Sequence, residues 1–113
     1  MENKIKKFLV NKDNISAIEA LKGIYRKTLV YNENIMLCHF YLKKDSEVPL
    51  HSHVQHQVGY VIRGKLHFFT TDNDFVAKKG DSYIFDSNEK HGATVLSDSE
   101  VIDIFTPSRE DYK

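Results

Sequence analysis

The chain of 113 residues is the size of one domain with a single modest core, and 41% hydrophobic with 28% charged residues is ordinary for a globular protein. Sixteen Lys and Arg balance sixteen Asp and Glu, which argues against the strongly basic face that nucleic acid requires and leaves Lys4, Lys6 and Lys7 as a solvated N-terminal face. No apolar run approaches the ~20 residues of a membrane span or forms a signal-peptide core, and the lone Cys38 has no partner for an internal disulfide, so a cytoplasmic location is expected.

From the N-terminus, Ile5, Phe8 and Leu9 suggest a short strand, and Ile15 to Leu21 an edge strand or one helical turn, closed by Gly23. The chain then reads as β throughout. Ile24 to Val30 is rich in β formers, Tyr31-Asn32-Glu33-Asn34 is a turn, and Ile35 to Leu42 is a strong apolar strand in which Met36, Cys38 and Phe40 share one face. Lys43 to Ser46 turns the chain. Val58 to Ile62 and Lys65 to Thr70 read as a hairpin about an Arg63-Gly64 turn. After a turn at Thr71 to Asp74 come short strands at Phe75 to Ala77 and Ser82 to Phe85, separated by the Lys78 to Asp81 turn. Asp86 to Lys90 is a loop, followed by Ala93 to Leu96 and Val101 to Phe105 around a Ser97-Asp98-Ser99 turn. Short strands broken by turns roughly every ten residues point to an all-β sandwich, barrel or jelly roll, with a pocket at one mouth.

Two clusters carry chemistry. On an extended strand with side chains alternating in period two, His51, His53 and Gln57 project from the same face, converging three nitrogen or oxygen donors as a transition metal needs. Two strand histidines are equally compatible with plain surface polarity. His56 has the opposite parity and is a minor alternative that only a bulge would turn inward. At the C-terminal end Asp103 and Phe105 share one strand face, with Ile102 and Ile104 on the other. An inward Asp103 would be a functional carboxylate, because burying an acid is costly unless it is paired or used. Arg109 can clamp a carboxylate in bidentate fashion, or simply pair with Glu110 or Asp111. Parity alone leaves both pairs of readings open.

The run His51-x-His53, Gln57, Gly64, then Gly80-Asp81 and His91, resembles the two-part motif of the cupin superfamily, a single-domain jelly-roll or double-stranded β-helix barrel. The resemblance places His51, His53, Gln57 and His91 on the four metal-ligand positions and implies a divalent transition metal such as Ni, Zn, Mn or Fe. Asp45 and Asn88 stand where the motif has glycines, and both residue types tolerate left-handed backbone. Gln57 replaces a glutamate, Asp86 a proline and Val95 an asparagine. A neutral amide ligand leaves the ion its full charge and favours anionic substrates.

VPLHSH, QVGYVIRG, GDSYIF, the His91-Gly92 pair and the closing DIFTPSREDY further resemble the KdgF group of small cupins, with His56-Gln57 where that group has Glu-Gln. That resemblance implies conversion of 4,5-unsaturated monouronates to the linear ketouronate, with Asp103 as acid/base, Phe105 as pocket wall and Arg109 as the contact to the substrate carboxylate. It implies a small sugar acid as ligand, residues 24–113 as the cupin domain, and residues 1–23 as strands available to pair across a homodimer. An Fe(II) dioxygenase and a non-catalytic sugar-acid-binding module are the alternatives.

Overall fold

The structure, a computed structural model, describes residues 8–113. Eight strands follow in order: β1 (Ile18–Leu21), β2 (Ile24–Tyr31), β3 (Met36–Leu42), β4 (Glu47–His51), β5 (His56–Thr70), β6 (Asp74–Lys78), β7 (Ser82–Phe85) and β8 (His91–Thr106). Short 3-10 helices lie at Lys12–Asn14 and Glu110–Tyr112. All strand pairs among the described residues are antiparallel. The hydrogen-bonded path runs β1-β2-β3-β8-β5-β6, with β4 added to β8 and β7 to β5. This is a jelly roll whose path ends at β1 and β6, so the sheet does not close fully on itself.

Of the stretch Ile15 to Leu21, Ile18 to Leu21 forms an edge strand that pairs with β2 of the same chain, and Ile15 to Ala17 lie outside it. Phe8 and Leu9 are exposed and lie outside any strand, while Lys4, Ile5, Lys6 and Lys7 lie outside the described residues. Met36, Cys38 and Phe40 all face the core with Leu42, Val61, Leu66, Phe85, Val95 and Phe105. Cys38 is fully buried against the Thr28 hydroxyl, and burial pushes its thiol up to about 11, so it packs as a small apolar side chain. Asp45 (φ 72°) and Asn88 (φ 64°) hold the left-handed conformations that their residue types were expected to tolerate.

Two expected turns are absent. Arg63-Gly64 and Ser97-Asp98-Ser99 lie within β5 and β8, which pair with each other along nearly their whole length, from His56↔Thr106 to Thr70↔His91. Between them the register shifts repeatedly around Val61 to Leu66. Gly64 has φ 97°, and a Cβ there would stand 2.1 Å from the Ser99 hydroxyl, so this glycine makes a bulge and not a hairpin. Ser99 stitches the bulge: its Oγ accepts from the Lys65 N–H (3.0 Å) and donates to the Ser97 carbonyl (2.7 Å). Bulges bend strands. Here the bend lets one end of β8 pair with β4 while the other end pairs with β3, wrapping both around one interior.

Candidate metal centre and binding cavity

His51 ends β4 directly opposite His91, the first residue of β8, so the sheet register itself sets these two imidazoles side by side. His53 is not on a strand; it sits in the connection to β5, and the expected strand alternation is not what places it. Its ring nevertheless joins the other two, with centroid separations of 5.6 Å to His51 and 5.0 Å to His91. One ligand atom from each of the three histidines lies within 4.8 Å of the others, close enough to hold one metal ion.

The backbone fixes how each ring is presented. His51 Nδ1 donates to the Pro49 carbonyl (2.8 Å), His53 Nδ1 to the Gln55 carbonyl (2.9 Å) and His91 Nδ1 to the Glu89 carbonyl (2.8 Å). With every Nδ1 occupied by a carbonyl, the Nε2 lone pair of each ring is the free donor, as outer-shell hydrogen bonding does at metal sites. His91 Nε2 is buried without a hydrogen-bond partner among the described residues, an orphaned atom that a metal would satisfy. Burial holds the His91 imidazole down at about 4 and lowers that of His53, where the Arg109 charge adds to the effect, so both rings are neutral near pH 7 as ligation requires. The His91 ring is held flat against Phe85 at 4.3 Å.

Gln57 is buried with its amide oxygen 3.1 Å from His53 Nε2, and the same amide hydrogen-bonds to Asp103. It thus joins the histidine cluster to the acid. His56 is exposed, and its Nδ1 accepts from the Ser87 N–H at 3.1 Å, away from the three rings. Three imidazoles and an amide oxygen fit a divalent transition ion.

A cavity of about 480 Å³ opens beside these residues, lined among others by His51, Gln57, His91, Asp103, Phe105 and Arg109. It is of the size that takes a small-molecule ligand. Asp103 and Phe105 are the inward face of β8, while Ile102 and Ile104 are only half-buried on the other side. The inward reading therefore holds, and the acid is 6% exposed. Arg109 reaches the cavity too, but its guanidinium is bidentate with Asp111, Nε to Oδ1 at 3.3 Å and a terminal nitrogen to Oδ2 at 3.0 Å. The simple pairing with Asp111 is what forms.

Tyr83 was not apparent in the sequence as a site residue. Its hydroxyl donates to Asp103 Oδ1 at 2.5 Å, and burial together with the Asp103 charge raises its own pKa well above the usual phenol value, so it stays a donor. The signal for it was Gly59, a glycine inside a strand between Tyr83 on β7 and Asp103 on β8. A Cβ at Gly59 would meet the Tyr83 ring at 2.0–2.2 Å. Gly59→Ala is expected to destabilise the fold by about 1–3 kcal/mol, the usual cost of overpacking, measured as a lower denaturant midpoint with an unchanged slope.

Burial pushes Asp103 up from its ordinary 3.8 to about 6, against the hydrogen bonds from Tyr83 and Gln57 that favour the carboxylate. The folded state thus keeps a proton that the unfolded chain releases. The stability from this group is complete below 3.8 and is lost as pH rises through about 6. For metal-free protein, Asp103→Asn is expected to gain up to about 3 kcal/mol relative to the parent between acidic and neutral pH. Urea unfolding at a series of pH values measures this difference, and a constant offset would contradict it.

The model for the cupin domain matches residues 38–105, and the chain belongs to the cupin family. The fold and the three-histidine cluster agree with that class. Within it, the chain is a homologue of the pectin degradation protein KdgF of Dickeya dadantii, 32% identical over 92 residues that cover 80% of this chain and 84% of that one. Among solved structures it is similar to KdgF from a Halomonas species (28% identity, TM-score 0.86, 94% of this chain and 99% of that chain). It is likewise similar to an RmlC-like cupin from Shewanella frigidimarina (27% identity, TM-score 0.89, 94% and 96%). No helix among the described residues is long and apolar enough to cross a membrane.

Proposed function

We propose that this chain is a metal-dependent enzyme that converts 4,5-unsaturated monouronates to linear ketouronates. The observation that carries the reading is Asp103, a buried acid raised to about 6, lining the same cavity as the histidine cluster in a homologue of KdgF. His51, His53 and His91, with Gln57 as fourth ligand, would hold a divalent transition metal, which when bound supplies Lewis-acid polarisation of substrate oxygens.

The chemistry is an isomerisation that needs no co-reactant. The anomeric hydroxyl loses its proton, the C1–O1 bond becomes double, the bond from C1 to the ring oxygen breaks, and that oxygen becomes the C5 ketone as C4 takes up a proton. Asp103 is the group that carries this proton. A carboxyl raised to about 6 is populated in both forms near neutral pH, as a shuttle between oxygen and carbon must be. Tyr83 engages one carboxylate oxygen, and Gln57 holds the same carboxyl from the metal side, so the acid is oriented from two directions. Phe105, 1% exposed, walls the cavity beside it, and Arg109 adds positive charge at the C-terminal end. Assembly as a homodimer in the cytoplasm belongs to the same proposal: the outer edge of β1 is unpaired among the described residues and a second copy can extend it.

The test is to load purified protein with Ni, Zn, Mn or Fe(II) in turn and mix it with a lyase-generated 4,5-unsaturated monouronate. A metal-dependent loss of ring-alkene absorbance above the spontaneous rate is expected. No acceleration by folded, metallated protein would withdraw the uronate reading, and oxygen consumption would then test the Fe(II) dioxygenase alternative.

A further inference from the structure

We propose that Arg26, rather than Arg109, makes the direct contact with the ligand's carboxylate. The inference rests on the sugar-acid reading above and assigns the residue that selects the acid over the neutral sugar.

Arg26 lies on β2 with Ile24, two residues apart and therefore on the same inward face. It lines the cavity and is 8% exposed. Its guanidinium carbon sits 4.0 Å from the centroid of the Tyr112 ring. Beyond that ring it has no hydrogen bond or ion pair among the described residues, and its Nε is buried without any partner. Arg109 differs in this respect. Its guanidinium also lies over Tyr112, at 3.8 Å, but two of its nitrogens are engaged by Asp111. Asp103, the other acid in the cavity, is held by Tyr83 and Gln57. Asp111 acts on Arg26 only through space, so among the described residues Arg26 is the cavity cation left without a hydrogen-bonded anion.

A buried guanidinium without a hydrogen-bonded anion is costly, and a cation–π contact together with a carboxylate acting only through space offsets part of the penalty. The cost is recovered when an anion of matching shape arrives. The planar fork of arginine matches a carboxylate in bidentate geometry, and the Tyr112 ring stacked beneath Arg26 holds that fork in place before the ligand enters. A single carboxylate on a small sugar ring is the ligand class that satisfies both Arg26 and the cavity's size.

The test compares zinc-loaded parent, Arg26→Met, Arg26→Lys and Arg109→Met by calorimetry, using galacturonate and its uncharged counterpart galactose as probes, alongside kcat and KM on the unsaturated monouronate. The parent is expected to prefer galacturonate by at least about tenfold, as hydrogen bonds to a charged partner provide. Arg26→Met should abolish the preference and raise KM more than it lowers kcat, with one zinc per chain retained. Arg26→Lys, which keeps the charge and loses the fork, should recover part of the preference and decides the matter if the Met variant fails to fold. A preference that survives both Arg26 substitutions, or one lost in Arg109→Met alone, would overturn the assignment. A parent that turns over the unsaturated uronate but binds both probes alike would remove Arg26 from recognition and leave the linearisation standing. A parent that discriminates through Arg26 without turnover would do the reverse.

Discussion

Asp103→Asn is expected to slow the conversion of unsaturated monouronate by about 10²–10⁴-fold, the usual contribution of a positioned acid/base group. The substitution is close to isosteric, and the amide oxygen can still accept from the Tyr83 hydroxyl, so the packing around β7 and β8 is kept while the transferable proton is lost. Substrate binding should change far less than kcat, because the binding groups are elsewhere in the cavity. Asp103→Asn should also be the more stable protein at neutral pH, since it removes a buried charge whose folded state resists ionisation. A slow enzyme that is more stable than its parent separates a catalytic role from a structural one. Full activity in a folded variant would remove Asp103 from the mechanism.

His91→Ala is expected to weaken metal binding by more than about 100-fold, since even outer-shell partners of metal ligands are worth 10–100-fold. The expectation rests on the His91 Nε2 atom, buried without a partner and aimed at the same point as the His51 and His53 rings. Alanine at this position also removes a ring packed against Phe85, so some loss of stability is unrelated to metal. His51→Ala resolves that ambiguity, because His51 is only half-buried and its loss disturbs packing less. Metal content after dialysis, read together with the rise in melting temperature on adding zinc, measures the effect. One tightly bound ion per chain in both variants would refute the three-histidine centre.

Much of the metal centre was legible in the sequence because its parts are close along the chain or end adjacent strands. His51 and His53 are two residues apart, and both end in the cluster. Strand alternation accounts for only part of their convergence, since β4 stops at His51 and His53 is placed by the connection that follows. Asp45 and Asn88 kept the turns because backbone preference is local and acts wherever the chain goes. The hairpin at Arg63-Gly64 failed for a related reason: positive φ at a glycine serves a tight turn and a β-bulge alike. Which of the two forms depends on whether a partner strand lies alongside, and that partner, β8, is more than thirty residues away.

The all-β class, the strand and loop order on both sides of the bulged stretch of β5 and β8, the core face of β3 and the histidines available for a metal are already written in the sequence. These follow from period-two patterning and turn chemistry, which are properties of neighbouring residues. Tertiary structure alone decided the rest. Asp103 faces inward, although the Ile102 and Ile104 pair offered more apolar area, because Tyr83 and Gln57 arrive from β7 and β5 to hydrogen-bond it. Arg26 is brought from β2 into the same cavity as Arg109 and Asp111, yet it forms no hydrogen bond there among the described residues, whereas Arg109 takes the local pairing with Asp111. Whether a buried polar group is satisfied depends on which distant strand brings its partner, and no local pattern in the chain encodes that pairing.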